Sequence, residues 1–293
     1  INQGLKLYQL PAASYRLYAG ELPLAVGDAA LPGGYTLTRN GGNKHWQFLA
    51  DGDGLLCLAV SDVDALPEEV YDVFIDVGHG GGDSGAAAFS YAEAELNLIS
   101  SLYMRDCLQA LGLKVKLSRE DATIGGGAAA ENNPYLPGAR IDSVYRSQAK
   151  YLFSNHLNSG GGHYRGFQIY ASVRADIAFA RAVADALTAA GHSANDRGIG
   201  LVADGVYQRR SEVYSETPRD YYFILRETGG YAVSPYRYRL MNAAQAEALA
   251  VGPEGLLMEY CFLDNRDDLD YWLANYRRLI EAAAAGAADY WQL

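Results

Sequence analysis

The sequence predicts an α/β fold, with a mainly parallel, twisted sheet carrying helices on both faces, preceded by a small all-β domain of SH3-like kind. Three observations predict it. From Tyr71 onward, short apolar runs alternate with long helical patterns, the rhythm of strand-helix-strand units. Val73 to Val77 is a continuous apolar strand interrupted only by Asp76. The first seventy or so residues instead show short strand patterns separated by turn clusters.

In chain order, strands are expected at Tyr35 to Arg39, Lys44 to Ala50 and Leu55 to Val60, with turns at Asn40 to Asn43 and Asp51 to Gly54. The acidic, proline-containing stretch Asp62 to Glu69 reads as a linker, so the domains run 1–69 and 70–293. In the second domain a helix is expected at about Ala92 to Leu111, with Leu96, Ile99, Leu102, Tyr103 and Leu111 near one face and Gly112 as its stop. Further strands are expected at Leu113 to Leu117, Tyr151 to Ser154, Phe167 to Tyr170 and Leu256 to Tyr260. Helical patterns cover about Arg140 to Ala149, Ala175 to Ala190 and Asp267 to Ala287.

Of 293 residues, 49% are apolar, ample for a core, and the net charge of −11 with no Lys/Arg run argues against a nucleic-acid surface. No stretch of about 18 apolar residues occurs, so no transmembrane helix is expected. Cys57, Cys107 and Cys261 lack metal-site spacing and read as buried small apolar residues. The chain opens on Ile1 and not Met, consistent with removal of a leader or tag.

In open α/β sheets ligands bind beyond the carboxyl ends of the strands. Four polar residues fall there: His79 after the first strand, Glu93 at the head of the following helix, His156 after Tyr151 to Ser154, and Glu259 in Leu256 to Tyr260. Two imidazoles and a carboxylate bind Zn²⁺ and leave a fourth position for water, while a second carboxylate outside the metal shell serves as general base. The competing readings are structural. Ser90-Tyr91-Ala92-Glu93 is also a capping-box pattern, with Glu95 then the substitute ligand, and Glu259 is also compatible with an ion pair at a strand end. His163 and His192, beside glycines, read as solvated loop residues. Gly82-Asp83-Ser84-Gly85 echoes the nucleophile motif of trypsin-like proteases, but such enzymes need His and Asp upstream in a two-barrel fold and here only His45 precedes it.

The string Ile75 to Gly85, IDVGHGGGDSG, resembles the opening motif of the zinc-dependent N-acetylmuramoyl-L-alanine amidases, the peptidoglycan hydrolases of cell separation, sporulation and phage lysis. Glu93 to Leu98, Leu117 to Arg119, Tyr151 to Asn158 and Met258 to Asn265 are similar to that family's later motifs, in the same order. The resemblance implies His79, Glu93 and His156 as ligands of one Zn²⁺ per chain and Glu259 as the catalytic carboxylate. It also implies hydrolysis of the bond between N-acetylmuramic acid and L-alanine, peptidoglycan as partner, and a secreted, periplasmic or wall-associated setting. Asn97 and Asn158 are expected to orient ligands or substrate. Arg237 and Arg239, in the Tyr-rich stretch Gly229 to Gly255, are expected to wall the groove and pair with stem-peptide carboxylates. The alternatives are a catalytically silent peptidoglycan-binding or activating module, and a zinc peptidase or carboxypeptidase of the same fold.

Overall fold

The computed structural model describes five strands within residues 6–62 and then residues 71–126, 134, 138–147, 149–173, 175–212, 220–228 and 253–293. In the first region, β1 (Lys6–Leu10), β5 (Leu56–Asp62) and β4 (Lys44–Ala50) form an antiparallel sheet in the order β1-β5-β4. The strands β2 (Ser14–Ala19) and β3 (Leu22–Asp28) pair as a separate antiparallel ribbon. Lys44 to Ala50 is as expected, and β5 extends through Asp62, which pairs with Lys44 and was expected in the linker. Tyr35 to Arg39 and both turn clusters lie outside the described residues, and with them the SH3-like closure.

The second region is built on a seven-stranded sheet. Its strands are β6 (Val73–Val77), β9 (Val115–Leu117), β10 (Tyr151–Asn158), β11 (Gln168–Ala171), β12 (Leu201–Ala203), β13 (Val206–Tyr207) and β14 (Glu254–Phe262), in the order β12-β13-β11-β14-β10-β6-β9. Pairs β9-β6, β6-β10 and β10-β14 are parallel, whereas β11 runs antiparallel to β14. Successive side chains of a strand point to opposite faces. Accordingly Val73, Ile75 and Val77 join one core with Phe153, Leu256 and Met258, while Phe74, Leu152 and Leu257 join a second.

Helices α1 (Glu93–Ala110), α3 (Ala178–Ala189) and α5 (Arg266–Trp291) supply the first core, and α2 (Arg140–Ser147) and α4 (Phe223–Thr228) the second. The expectation of helices on both faces of a mainly parallel sheet therefore holds. Among the described residues no helix is long and apolar enough to cross a membrane.

The inner face of α1 is the one expected at Leu96, Leu102 and Tyr103, which lie in or against the first core, but not at Ile99 and Leu111. Ile99 and Leu111 are about half exposed, whereas Leu96, Asn97, Ser100, Ser101, Met104 and Leu108 are buried. The small polar residues are tolerated because each has a partner. Ser100 donates back to the Leu96 and Asn97 carbonyls, and Ser101 Oγ accepts from Asn155 Nδ2 of β10 at 3.0 Å. Short side chains there let α1 approach the sheet closely, which carries its first turn to the carboxyl ends of β6 and β10.

Candidate active site

His79 follows β6 within two residues, and His156 lies near the end of β10, on the same strand face as Leu152. Glu259 sits directly opposite His156 across the β10-β14 ladder. Glu93 is the first residue of α1, whose N-cap is Ala92 and has no side-chain cap. Ser90 therefore does not cap the helix; it lies in the left-handed region, with φ 68°, at a hairpin between β7 (Ala87–Ala88) and β8 (Tyr91–Ala92). The capping-box reading of Glu93 fails for this reason, and Glu95 is exposed.

The Glu93 carboxylate is nearly inaccessible and gathers the site around itself. Oε1 lies 2.9 Å from His156 Nδ1 and accepts from Asn97 Nδ2 at 3.2 Å and from the Leu157 amide at 3.2 Å. Oε2 lies 3.1 Å from His79 Nε2 and accepts from the Ala86 amide at 3.0 Å. Burial alone would raise its pKa, but hydrogen bonds and charge from His156 and His79 outweigh that and hold it well below the usual carboxylate range. Burial would likewise lower His79, yet the neighbouring Glu93 and Asp83 carboxylates leave it raised.

One ligand atom each from His79, Glu93 and His156 all lie within 4.8 Å of one another. The donor set fits a divalent transition metal such as Zn²⁺: two imidazole nitrogens and a carboxylate oxygen, the set that in hydrolases leaves a fourth position for water. His79 carries the usual outer support, because its Nδ1 lies 2.8 Å from Asp83 Oδ2, which leaves Nε2 for an ion. Glycine is required where the ligands crowd the backbone. A Cβ on Gly78 would stand 2.5 Å from His156 Cε1, and one on Gly85, itself at φ 64°, would stand 2.6 Å from Glu93 Oε2.

Glu259 is buried, and among the described residues its Oε2 has no hydrogen-bond partner. Burial, with a smaller contribution from the Glu93 charge, pushes its carboxyl well above the ordinary range. A buried carboxylate without an ion-pair partner is costly for stability alone, and among the described residues Glu259 has no ion pair to support the strand-end reading.

Of the remaining expected residues, Asn97 is at the site, donating to Glu93 and to the Gly78 carbonyl at 3.3 Å. Asn158 does not touch the ligands; its Nδ2 donates to Gln168 Oε1 at 2.7 Å, and Gln168 pairs with Glu259 across β11-β14. Arg237 and Arg239 lie outside the described residues. His163 is exposed as expected. His192 is not solvated: it is buried, with Nε2 donating to the Tyr260 carbonyl at 2.6 Å, and the phenyl ring of Phe167 and the phenol of Tyr271 flank it. Cys261 is buried as expected, and Cys107 is partly so.

Two arginines at the site carry no expectation from sequence beyond the placing of Arg119 at a strand end. Arg119 Nε donates to the His79 carbonyl at 3.0 Å, and its Nη2 donates to the Gly78 and Ala94 carbonyls at 3.1 and 2.7 Å. Arg140 Nη2 donates to the same His79 carbonyl at 3.1 Å, while its Nε pairs with buried Asp76 at 3.2 Å. With His79, Asp83, His156 and Phe223 these arginines line a cavity of about 280 Å³ beside the ligand cluster.

Fold and site together define an α/β protein with a three-ligand metal centre candidate at the carboxyl edge of its parallel strands. Residues 73–289 match the family described as N-acetylmuramoyl-L-alanine amidase, and the chain belongs to that family. It is similar to the uncharacterized protein YqiI of Bacillus subtilis (strain 168), 32% identical over 125 residues, covering 43% of this chain and 56% of YqiI. It is also similar to the N-acetylmuramoyl-L-alanine amidase CwlM of Bacillus licheniformis, 35% identical over 101 residues, 33% of this chain and 35% of CwlM. The chain thus spans about half the length of the first relative and about a third of the second.

Among solved structures, the CwlD amidase of Clostridioides difficile, in complex with the GerS lipoprotein, superposes with a TM-score of 0.53 at 20% identity, over 76% of this chain and 98% of that one. The catalytic domain of CwlV, an N-acetylmuramoyl-L-alanine amidase from Bacillus (Paenibacillus) polymyxa var. colistinus, gives 0.51 at 21%, over 76% and 99%. These likenesses carry the fold.

Proposed function

We propose that this chain hydrolyses the amide bond between N-acetylmuramic acid and L-alanine in peptidoglycan, with one Zn²⁺ held by His79, Glu93 and His156 and Glu259 as general base. The observation that carries the reading is the convergence of two imidazoles on the Glu93 carboxylate, with the buried Glu259 carboxyl, whose Oε2 has no hydrogen-bond partner among the described residues, opposite His156 on the neighbouring strand. Zinc, when bound, supplies Lewis acidity toward the lactyl carbonyl and lowers the pKa of a water toward neutrality.

The chain's own residues do the rest. Glu259 accepts the proton of the attacking water at its carboxylate and returns it to the departing L-alanine nitrogen. Asp83 fixes the ring of His79, and Asn97 the carboxylate of Glu93. The cavity beside His79 and His156 accommodates the substrate flanking the scissile bond. Activity of this kind places the working protein where peptidoglycan lies, secreted, periplasmic or in the wall.

The test is digestion of purified sacculi, with new L-alanine amino groups counted and fragments weighed by mass spectrometry. The proposal expects intact stem peptides bearing free L-alanine N-termini. Cleavage inside the stem would instead select a peptidase, and binding without cleavage a silent module.

A further inference from the structure

His79 occupies the left-handed region at φ 57°, a conformation that L side chains with a Cβ rarely adopt. Its carbonyl oxygen receives two guanidinium groups from different elements, Arg119 just beyond β9 and Arg140 at the head of α2. The preceding carbonyls of the turn are held as well. Gly78 O accepts from Arg119 Nη2 and Asn97 Nδ2, and Val77 O lies 3.4 Å from Arg140 Nη2. Arg119 is buried, and among the described residues it donates to backbone carbonyls, those of Gly78, His79, Ala94 and Asp121. Ala94 belongs to the first turn of α1, so one guanidinium joins the loop of His79 to the helix that begins with Glu93.

We propose that Arg119 and Arg140 are positioning residues, a two-guanidinium clamp that locks the strained His79 backbone so that its ring is preset for a metal ion. The inference rests on the zinc reading above. A planar fork with several fixed donors can hold carbonyls on two segments at once, which a lysine ammonium cannot reproduce. Geometry and charge make opposite forecasts here. Two cations beside a cation site oppose metal binding by Coulomb repulsion, so removal of one positive charge would tighten binding if charge were the arginines' only influence. Loss of the clamp weakens it.

The experiment is a zinc titration of the full chain against a competing chelating indicator, for the wild type, Arg119→Lys, Arg119→Met and Arg140→Lys, alongside thermal unfolding of each metal-free protein. The clamp predicts folded variants whose zinc dissociation constants rise about 10- to 100-fold, the range for disturbing residues that support metal ligands. It predicts that lysine does not rescue and that Arg119→Met also binds more weakly. Wild-type affinity in the lysine variants, or tighter binding by Arg119→Met, would overturn it. Loss of folded protein in every variant assigns the pair to the scaffold alone and overturns it too. A wild type that takes up no zinc is a different result: it removes the metal reading itself.

Discussion

Gly78→Ala is the smallest change that separates the site from the scaffold. Gly78 does not need a left-handed conformation, so the effect of a methyl group there is steric. The new Cβ would lie 2.5 Å from His156 Cε1 and 2.6 Å from the Asn155 carbonyl oxygen, against the 3.4 Å at which ordinary contact begins. The His156 ring must therefore move by at least 3.0 − 2.5 = 0.5 Å, and by 3.4 − 2.5 = 0.9 Å to regain ordinary contact, or the turn must lift off β10 by a similar amount. Zinc–ligand distances tolerate about 0.2 Å. The expected loss of zinc affinity exceeds about 100-fold, the upper end for disturbing only a supporting residue. Overpacking of this kind costs about 1–3 kcal/mol. For a domain of this size that lowers the unfolding midpoint by about 2–12 °C. Zinc titration and thermal unfolding of the metal-free protein read the two effects separately. A folded Gly78→Ala protein that binds zinc as the wild type does would refute the close approach of Gly78 to His156 and with it the placement of the ligand.

Asp83→Asn should weaken zinc binding by about tenfold, at the low end for such partners because Asp83 is largely exposed, and leave the thermal midpoint of the metal-free protein nearly unchanged. His192 makes a pH prediction away from the site. Burial lowers its pKa below 6.5, so the unfolded chain binds the proton more readily than the folded one. Its contribution to stability is present above pH 6.5 and is lost as the pH falls through the depressed folded value. Unfolding midpoints measured downward from pH 7 should decline less steeply in His192→Gln than in the wild type, and parallel curves would contradict this. A chain beginning near Pro67 should fold and still cleave soluble muropeptides, since all four proposed site residues follow that point; a folded, zinc-loaded but inert product would show that the first region completes the site.

The parallel strands were legible because burial on both faces leaves continuous apolar runs, as at Val73 to Val77 and Leu256 to Tyr260. Once the strands are located, the rule that ligands lie at their carboxyl ends points to His79, His156 and Glu259 as candidates. Other features depend on partners distant in sequence. The inner face of α1 carries Asn97, Ser100 and Ser101, whose polarity mimics a solvent face until Asn155 and Glu93 are brought alongside. His192 sits beside Gly191 and reads as a loop residue, yet the Tyr260 carbonyl and two aromatic rings enclose it. Arg119 and Arg140 bind mainly carbonyl oxygens, which every residue possesses, so although Arg119 ends a segment similar to a family motif, no side-chain pattern announces what either arginine holds. In the first region β3 contains Pro23, which a strand pattern disfavours; it pairs with Tyr18 at a register shift, where a missing donor is tolerated.

The central claim is that three residues hold the metal while Glu259 handles the proton, and one measurement addresses it directly: zinc per chain and amidase rate, determined together on the wild type, His156→Ala and Glu259→Gln. His156→Ala removes one of three protein ligands and should lose both metal and activity. Glu259→Gln should keep about one zinc per chain while its kcat falls by about 10²- to 10⁴-fold, the range for deleting a general acid-base group. Release of zinc by Glu259→Gln as readily as by His156→Ala would make Glu259 a ligand and reopen the role of Glu93. Retention of both zinc and full rate would contradict the mechanism at its proton-transfer step.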